Sequence, residues 1–265
     1  MIMQPMNAPE VHHGWSIGEV ETETGKLRYR YRGSGPIVIA LHGIQSTADA
    51  WEDVAEGFSK SYTFVAPDMR GRAPSMIPTS HSEYRLDRFA GDLEDLIDQV
   101  GQPVMTIGWS MGVLVLLEYF RRGGRQPKVI SLVGGTAFLG KEARWFEGLS
   151  QAAVLEEAMQ RAKRLQLARS ASPFAVAASW LHARNCDYRE SLPDISSPTL
   201  VIHGADDDQC PLSHADLLAG SLPNAKLEVW PRCGHNVMDC DAERFVASVQ
   251  GFARKHIELR LEDTS

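Results

Sequence analysis

Gly108-Trp109-Ser110-Met111-Gly112 is the stretch that decides the fold of this 265-residue chain. It follows an apolar run at residues 104–107 and precedes an apolar, helix-length segment at 113–120. A G-x-S-x-G pattern at a strand-to-helix junction is typical of a tight turn that presents a strained serine above the edge of a sheet. The two glycines let the strand and helix backbones pass close together. The pattern therefore predicts that Ser110 is a nucleophile.

Composition excludes several classes of protein. A chain of this length with 43% hydrophobic residues can bury the core of one α/β domain. The net charge of -7, without a basic patch, argues against binding to nucleic acid or to an anionic membrane surface. Residues 1–13 lack the pattern of an export signal, and no window reaches the roughly 18 apolar residues of a membrane span. We therefore expect a soluble cytoplasmic protein.

The four cysteines show no C-x-x-C pairing. We expect buried, inert thiols in a reducing compartment rather than a disulfide framework. A modifiable thiol near the functional site is the alternative, because Cys233 precedes His235 by two residues.

Apolar runs bounded by turn residues alternate with helix-length amphipathic segments such as 85–100. This alternation predicts an α/β fold with a mainly parallel sheet and helices on both faces. The predicted strands lie at 27–32, 37–41, 63–66, 104–107, 129–133, 200–203 and 227–230.

The alternation fails between residues 138 and 191, where one helical segment follows another. We expect a small helical lid at 138–191, inserted into a core made of residues 1–137 and 192–265. The predicted lid holds eight basic and six acidic residues, a net charge of +2 on an acidic protein. Two explanations of this charge stay open. The basic residues either form a solvated helix face or recognise an acidic carrier protein or an anionic substrate.

A serine nucleophile needs a base, a group that orients the base, and donors for the oxyanion. His235 lies just past the apolar run 227–230, at the carboxyl end of a predicted strand, where sites of open α/β sheets form. The acid is expected in the loop 204–211, which carries three adjacent aspartates. The residues alone leave the choice open among Asp206, Asp207 and Asp208.

From about residue 27 to 254 the chain resembles the α/β-hydrolase superfamily, whose sheet has eight strands. That family's acid loop reads Gly-x-x-Asp with a proline four residues later, and this spacing selects Asp207. The order Ser110, Asp207, His235 is also the family's order. Serine at the elbow sets the chain apart from relatives that use aspartate there, the haloalkane dehalogenases and epoxide hydrolases.

The resemblance also implies an oxyanion hole. Leu41-His42-Gly43-Ile44-Gln45 looks like the family's His-Gly loop, which assigns the backbone N–H of Ile44 as one donor and that of Met111 as the other. His42 is then a loop-bracing residue, and the turn at 68–72 is structural. The sequence departs from the family pattern at Ala73 and at Val113, where a second glycine often follows the elbow.

Several residues are candidates for the substrate pocket. The aromatic ones either contact substrate or form the core of the lid, and Gln45 is placed to hydrogen-bond substrate. No motif indicates a metal or a cofactor. The pocket candidates are Gln45, Trp109, Phe138, Trp145, Phe146 and Trp180.

These features favour a serine hydrolase that cleaves a small, largely apolar carboxylic ester, lactone or thioester through an acyl-enzyme. The short lid and the Gly-Trp-Ser elbow are similar to the carboxylesterases that demethylate a carrier-bound acyl methyl ester. Two other functions stay open. One is hydrolysis of a carbon–carbon bond in a β-diketone-type or ring-cleavage product, and the other is ligand sensing with slow turnover.

Overall fold

The chain folds around one eight-stranded sheet with the strand order β1-β2-β4-β3-β5-β6-β7-β8. The computed structural model describes residues 14–140 and 145–262. β1 and β2 pair antiparallel, β2 pairs antiparallel with β4, and all other pairs are parallel. The strands are β1 Ser16–Thr22, β2 Gly25–Arg32, β3 Ile37–Leu41, β4 Thr63–Pro67, β5 Met105–Trp109, β6 Val129–Val133, β7 Thr199–Gly204 and β8 Ala225–Trp230.

Helices cover both faces of the sheet, as buried parallel strands require. One face packs against α1 and α8 through large side chains such as Trp51, Phe58 and Phe245. The other face packs against α2, α3 and α6. The helices are α1 Glu52–Phe58, α2 Leu86–Val100, α3 Met111–Arg121, α4 Gln151–Arg164, α5 Pro173–Ala183, α6 Leu212–Ser221, α7 Val237–Cys240 and α8 Ala242–Glu262.

The predicted α/β fold with an eight-stranded, mainly parallel sheet is confirmed. All seven predicted strands are present, within two residues of the expected bounds. The prediction missed β1, whose alternating polar residues pair only with β2 at the sheet edge. In the described part of the chain, no helix is both long and apolar enough to cross a bilayer.

The segment between β6 and β7 contains α4 and α5, each capped by a serine. Ser150 accepts a hydrogen bond from the N–H of Ala153, and Ser172 from that of Ala175. Strand-like pairing here is limited, in the described residues, to one bridge between Phe138 and Asp187. That residues 138–191 function as a lid, and that the core consists of residues 1–137 and 192–265, stay predictions. What was expected of residues 1–13, 141–144 and 263–265 lies outside the described residues.

Candidate active site

Ser110 occupies a strained turn between β5 and α3. Its backbone has φ 56° and ψ -116°, a conformation that is costly for a non-glycine residue. Close backbone approach fixes the turn, since a Cβ added at Gly112 would lie 2.4 Å from the carbonyl oxygen of Leu41. One added at Gly108 would lie 2.8 Å from the backbone of Gly112. The elbow therefore needs both glycines, as the sequence pattern indicates.

Val113 also fits, although the sequence departs from the family pattern there. Its side chain is fully buried, and it fills the space that a Cβ at Gly135 would need, only 2.3 Å from Val113 Cγ2. The absence of a side chain at Gly135 thus compensates for the larger residue on α3.

Three side chains from separate loops form one hydrogen-bonded chain. His235 Nε2 lies 2.9 Å from Ser110 Oγ. On the other side of the ring, His235 Nδ1 lies 2.9 Å from Asp207 Oδ2 and 3.1 Å from Oδ1. This geometry matches that of a nucleophile, a base and an orienting acid. Ser110 is 3% exposed and His235 6%, so bulk water is largely excluded from the three groups.

Asp207 is the member of the aspartate triplet that points inward. Its carboxylate accepts hydrogen bonds from the backbone N–H groups of Gln209 and Cys210, both at 2.9 Å, whereas Asp206 and Asp208 are exposed. Burial alone would raise the pKa of Asp207. The hydrogen bond and charge of His235, together with the two N–H groups, outweigh that effect and lower the pKa below its ordinary value. Asp207 is thus a carboxylate at neutral pH.

Two backbone N–H groups belong to segments beside the nucleophile, since Met111 adjoins Ser110 in sequence and a Cβ added at Gly43, the neighbour of Ile44, would lie 3.4 Å from Ser110 Cβ. Met111 begins α3 directly after Ser110, and Ile44 follows the glycine of the loop after β3. Neither N–H donates to an acceptor within the described residues, which leaves both available to a developing oxyanion.

Buried side chains hold the loop that carries Ile44 in place. Arg72, fully buried, donates hydrogen bonds to the carbonyl oxygens of Ile44, Ser46 and Arg70. Burial lowers the pKa of Arg72 to about 10, so it stays charged at neutral pH. His42 Nε2 accepts from the N–H of Met69 at 3.2 Å. Burial, reinforced by the charge of Arg72, holds the pKa of His42 well below its ordinary range.

These contacts confirm that His42 and the 68–72 turn are structural. No sequence pattern predicted that Arg72 would hold the loop itself.

A cavity of about 350 Å³ opens onto Ser110 and His235. Gln45 and Trp109 line it, as predicted. Trp109 Nε1 donates to the carbonyl oxygen of His235 at 3.0 Å and so also holds the base loop. Gln45 Nε2 donates to the carbonyl oxygen of Ala158 in α4 at 2.6 Å, while its buried Oε1 has no partner among the described residues.

The other four pocket candidates are not among the described residues that line this cavity. Trp180 packs against Trp145 at 5.6 Å and against Phe146 at 5.9 Å between ring centroids. Phe138 packs on His214 at 4.9 Å. Aromatic rings at this spacing bury more apolar surface against one another than in a solvent-open pocket. Trp145, Phe146 and Trp180 therefore belong to the packed interior of the helical segment, whereas the partly exposed Phe138 packs against α6.

The polar residues of the cavity that sequence reasoning missed include Arg161 from α4 and Gln209 from the acid loop. Arg161 carries no motif, and its inward direction depends on how α4 packs. In the described residues, no group of three or more His, Cys, Asp or Glu is placed to hold a metal ion.

The expectation of four reduced cysteines is wrong. Cys233 and Cys240 form a disulfide, with their Cα atoms 6.0 Å apart, and Cys186 and Cys210 are free. The short helix α7 turns the chain back so that the two side chains meet, which the sequence separation alone did not suggest. The disulfide closes the loop that carries His235.

The fold and the strained serine at the end of β5 define the class of the protein, a hydrolase built on a nucleophile elbow. The model of the alpha/beta hydrolase family matches residues 38–248, so the chain belongs to this family. The expectation of a hydrolase is thereby confirmed.

Individual relatives are distant but cover most of the chain. The "Putative non-heme chloroperoxidase" of Synechocystis sp. is 27% identical over 84% of this chain and 92% of its own length. A pimeloyl-[acyl-carrier protein] methyl ester esterase of Nitrosomonas europaea is 24% identical over 81% of this chain and 94% of its own. Among solved structures, an esterase from Exiguobacterium antarcticum superposes with a TM-score of 0.78 at 23% identity, covering 89% of this chain and 98% of that one.

Proposed function

We propose that the protein is a serine hydrolase that cleaves a small carboxylic ester through an acyl-enzyme on Ser110. The observation that carries the proposal is the unbroken hydrogen-bonded chain from Ser110 Oγ through His235 to Asp207. A surface or core serine has no reason to sit in a strained conformation with a histidine at 2.9 Å and a buried carboxylate behind it.

In the first half-reaction, His235 Nε2 takes the proton of Ser110 Oγ as the oxygen attacks the ester carbonyl. The carbonyl oxygen becomes an oxyanion held by the N–H groups of Ile44 and Met111. Asp207 accepts a hydrogen bond from Nδ1 and stabilises the imidazolium. When the carbon–oxygen bond to the alcohol breaks, His235 returns the proton to the leaving alcohol.

In the second half-reaction, a water molecule takes the place of the alcohol. His235 removes one of its protons, the remaining hydroxide adds to the acyl carbonyl, and the bond to Ser110 Oγ breaks. The acid leaves, and Ser110 recovers its proton from His235. One ester and one water thus give one acid and one alcohol.

The size of the cavity favours a small substrate. Its volume of about 350 Å³ lies at the lower end for small-molecule sites. Ile44, Trp109, Leu165 and Met238 give it an apolar portion that suits an acyl chain. A lactone or thioester of similar size meets the same groups.

We also propose that residues 138–191 act as a lid on a core of residues 1–137 and 192–265. Gln45 of the oxyanion loop is bonded at both ends to this segment, through Ala158 and through the N–H of Ala171. Movement of the segment would therefore change access to Ser110.

We also propose an acidic carrier protein as a partner of this protein. Lys163 and Arg164 are exposed at the end of α4, beside the exposed side chains of Leu165 and Leu167. The name of the Nitrosomonas relative includes a carrier-bound substrate. Reversing both charges to glutamate should then slow turnover of a carrier-bound acyl ester but not of the same free ester.

The central test is covalent labelling with a fluorophosphonate, followed by peptide mapping. We expect one adduct on Ser110, and hydrolysis of p-nitrophenyl acetate that falls roughly 10³-fold or more in Ser110→Ala. Ser213→Ala, which removes an exposed hydroxyl on α6, is the matched control and should retain the wild-type rate. Full activity in a folded Ser110→Ala would overturn the acyl-enzyme.

A substrate panel separates the rival functions. Turnover of a vinylogous diketone in preference to all esters would identify a carbon–carbon bond hydrolase. Labelling of Ser110 with negligible turnover of every ester, lactone and thioester would favour the ligand-sensing alternative.

A further inference from the structure

One cation of the cavity, Arg161, forms no ion pair within the part of the chain that the structure describes. Arg161 lines the same cavity as Ser110, and its guanidinium donates to Gln209 Oε1 at 2.6 Å. It also stands over the ring of Phe146, 5.8 Å from the centroid. Within the described residues, no carboxylate lies at ion-pair distance from it.

The second guanidinium of the cavity differs in this respect. Arg169 bonds to the carboxylates of Asp49 and Asp68, at 3.0 and 3.1 Å, and to the carbonyl oxygen of Ala73. Its charge is neutralised by the protein. Among the described residues, the guanidinium of Arg161 contacts only a neutral amide and an aromatic face, which leaves its charge available to an anion.

Arg161 is partly exposed, and holding a cation partly out of water without an ion-pair partner is unfavourable. Removal from water, with the nearby charge of Arg164, lowers its pKa, and Asp208 only partly offsets this. An anion bound in the cavity would remove the penalty and form a charge-assisted, two-pronged hydrogen bond.

The position of Arg161 is fixed from two directions. Gln209 lies in the acid loop, and its own N–H donates to Asp207 Oδ1 at 2.9 Å. Gln45 of the oxyanion loop bonds to Ala158, one helical turn before Arg161 on α4. Both loops that build the reacting site thus also aim this guanidinium.

We propose that Arg161 binds a carboxylate carried by the substrate, so that the preferred substrate is a short ester with a free acid group at its far end. This rests on the proposed ester hydrolysis and names the substrate class of that site. The cavity contains two acidic side chains of its own, but Asp49 is paired with Arg169 and Asp239 accepts from Asn236 Nδ2 at 2.9 Å. Neither carboxylate forms a hydrogen bond or an ion pair with Arg161.

The test compares two esters of similar size, mono-p-nitrophenyl glutarate and p-nitrophenyl pentanoate. In the wild type, we expect a higher kcat/KM for the glutarate. In Arg161→Met the ratio of the two values should fall roughly 10- to 100-fold, the range for a lost charge-assisted hydrogen bond. Arg125→Met makes the same chemical change at an exposed site outside the cavity and should leave the ratio unchanged. An unchanged ratio in Arg161→Met would overturn the proposal.

A binding measurement distinguishes failure of the proposed carboxylate site from failure of the proposed ester hydrolysis. Calorimetry of monomethyl glutarate with Ser110→Ala measures recognition without turnover. Binding at least roughly tenfold weaker in the double variant with Arg161→Met supports the carboxylate site even if the ester chemistry fails. Equal binding in both variants overturns the site even if Ser110 proves to be the nucleophile.

Discussion

At the residue scale, backbone donors distinguish three adjacent aspartates. Only Asp207 faces N–H groups turned inward by the loop, those of Gln209 and Cys210. His203, fully buried on β7, adds a ring nitrogen 3.4 Å from Asp207 Oδ2. Such an environment keeps a buried carboxylate ionised and immobile, which is what an orienting acid needs.

Replacing Asp207 by asparagine should therefore cost far more than replacing its neighbour. An amide nitrogen cannot accept the Nδ1 proton of His235, so the ring is driven to the tautomer that cannot take a proton from Ser110. We expect kcat to fall by roughly 10³- to 10⁴-fold in Asp207→Asn. Asp208→Asn, at an exposed position, should stay within about threefold of the wild type. Steady-state kinetics on one short ester decide this, and the opposite order would reassign the acid.

At the element scale, two buried arginines of one turn stabilise different parts of the protein. Arg72 reaches up to the carbonyl oxygens of the oxyanion loop. Arg70 instead binds Asp92 of α2, with both contacts at 2.7 Å, and Glu83. The same kind of side chain is thus a positioning residue in one case and part of the scaffold in the other.

Arg72→Met and Arg70→Met should separate these roles. Both variants should unfold at lower temperature, because each leaves buried polar groups without partners. Only Arg72→Met should also lose kcat, by roughly 10- to 100-fold with little change in KM, since misplacing the Ile44 N–H weakens oxyanion stabilisation. The comparison needs thermal melts of both variants, and kcat and KM measured at a temperature below both melting transitions. Equal kcat in the two folded variants would show that Arg72 only stabilises the fold.

Most strands were predictable because buried parallel strands are continuous apolar runs between turn residues. β1 was not, since an edge strand with one exposed face carries Glu19 and Glu21 and resembles a loop. Ser110 and His235 followed from loop positions at strand ends, whereas only the family resemblance selected Asp207 among three adjacent aspartates. The direction of Arg161 and the packing of Trp145 and Trp180 did not follow, because both depend on how α4 and α5 pack together.

At the scale of the whole molecule, the site depends on four loops meeting at the carboxyl edge of the sheet. The loop that carries His235 is joined to the acid loop by the bond from the N–H of Asp206 to the carbonyl oxygen of Cys233, at 2.9 Å. Trp109 holds its centre through the carbonyl oxygen of His235. The disulfide from Cys233 to Cys240 then closes the far side of the loop.

This arrangement predicts that the disulfide contributes more to stability than to turnover. Closing an eight-residue loop destabilises the unfolded chain by about 2.5 kcal/mol, so Cys240→Ser should lower the melting temperature by roughly 5–10 °C. Because Asp206 and Trp109 still hold the loop that carries His235, kcat at 25 °C should stay within about threefold.

Alkylation under denaturing conditions checks that the bond exists. It should modify two thiols before reduction, those of Cys186 and Cys210, and all four after it. Cys186→Ser, which removes a thiol outside the disulfide, controls for the loss of a sulfur atom and should melt close to the wild type. If Cys240→Ser melts like the wild type but loses turnover, the disulfide orients His235 instead of stabilising the fold, and the hydrogen bonds from Asp206 and Trp109 are not sufficient to hold the base.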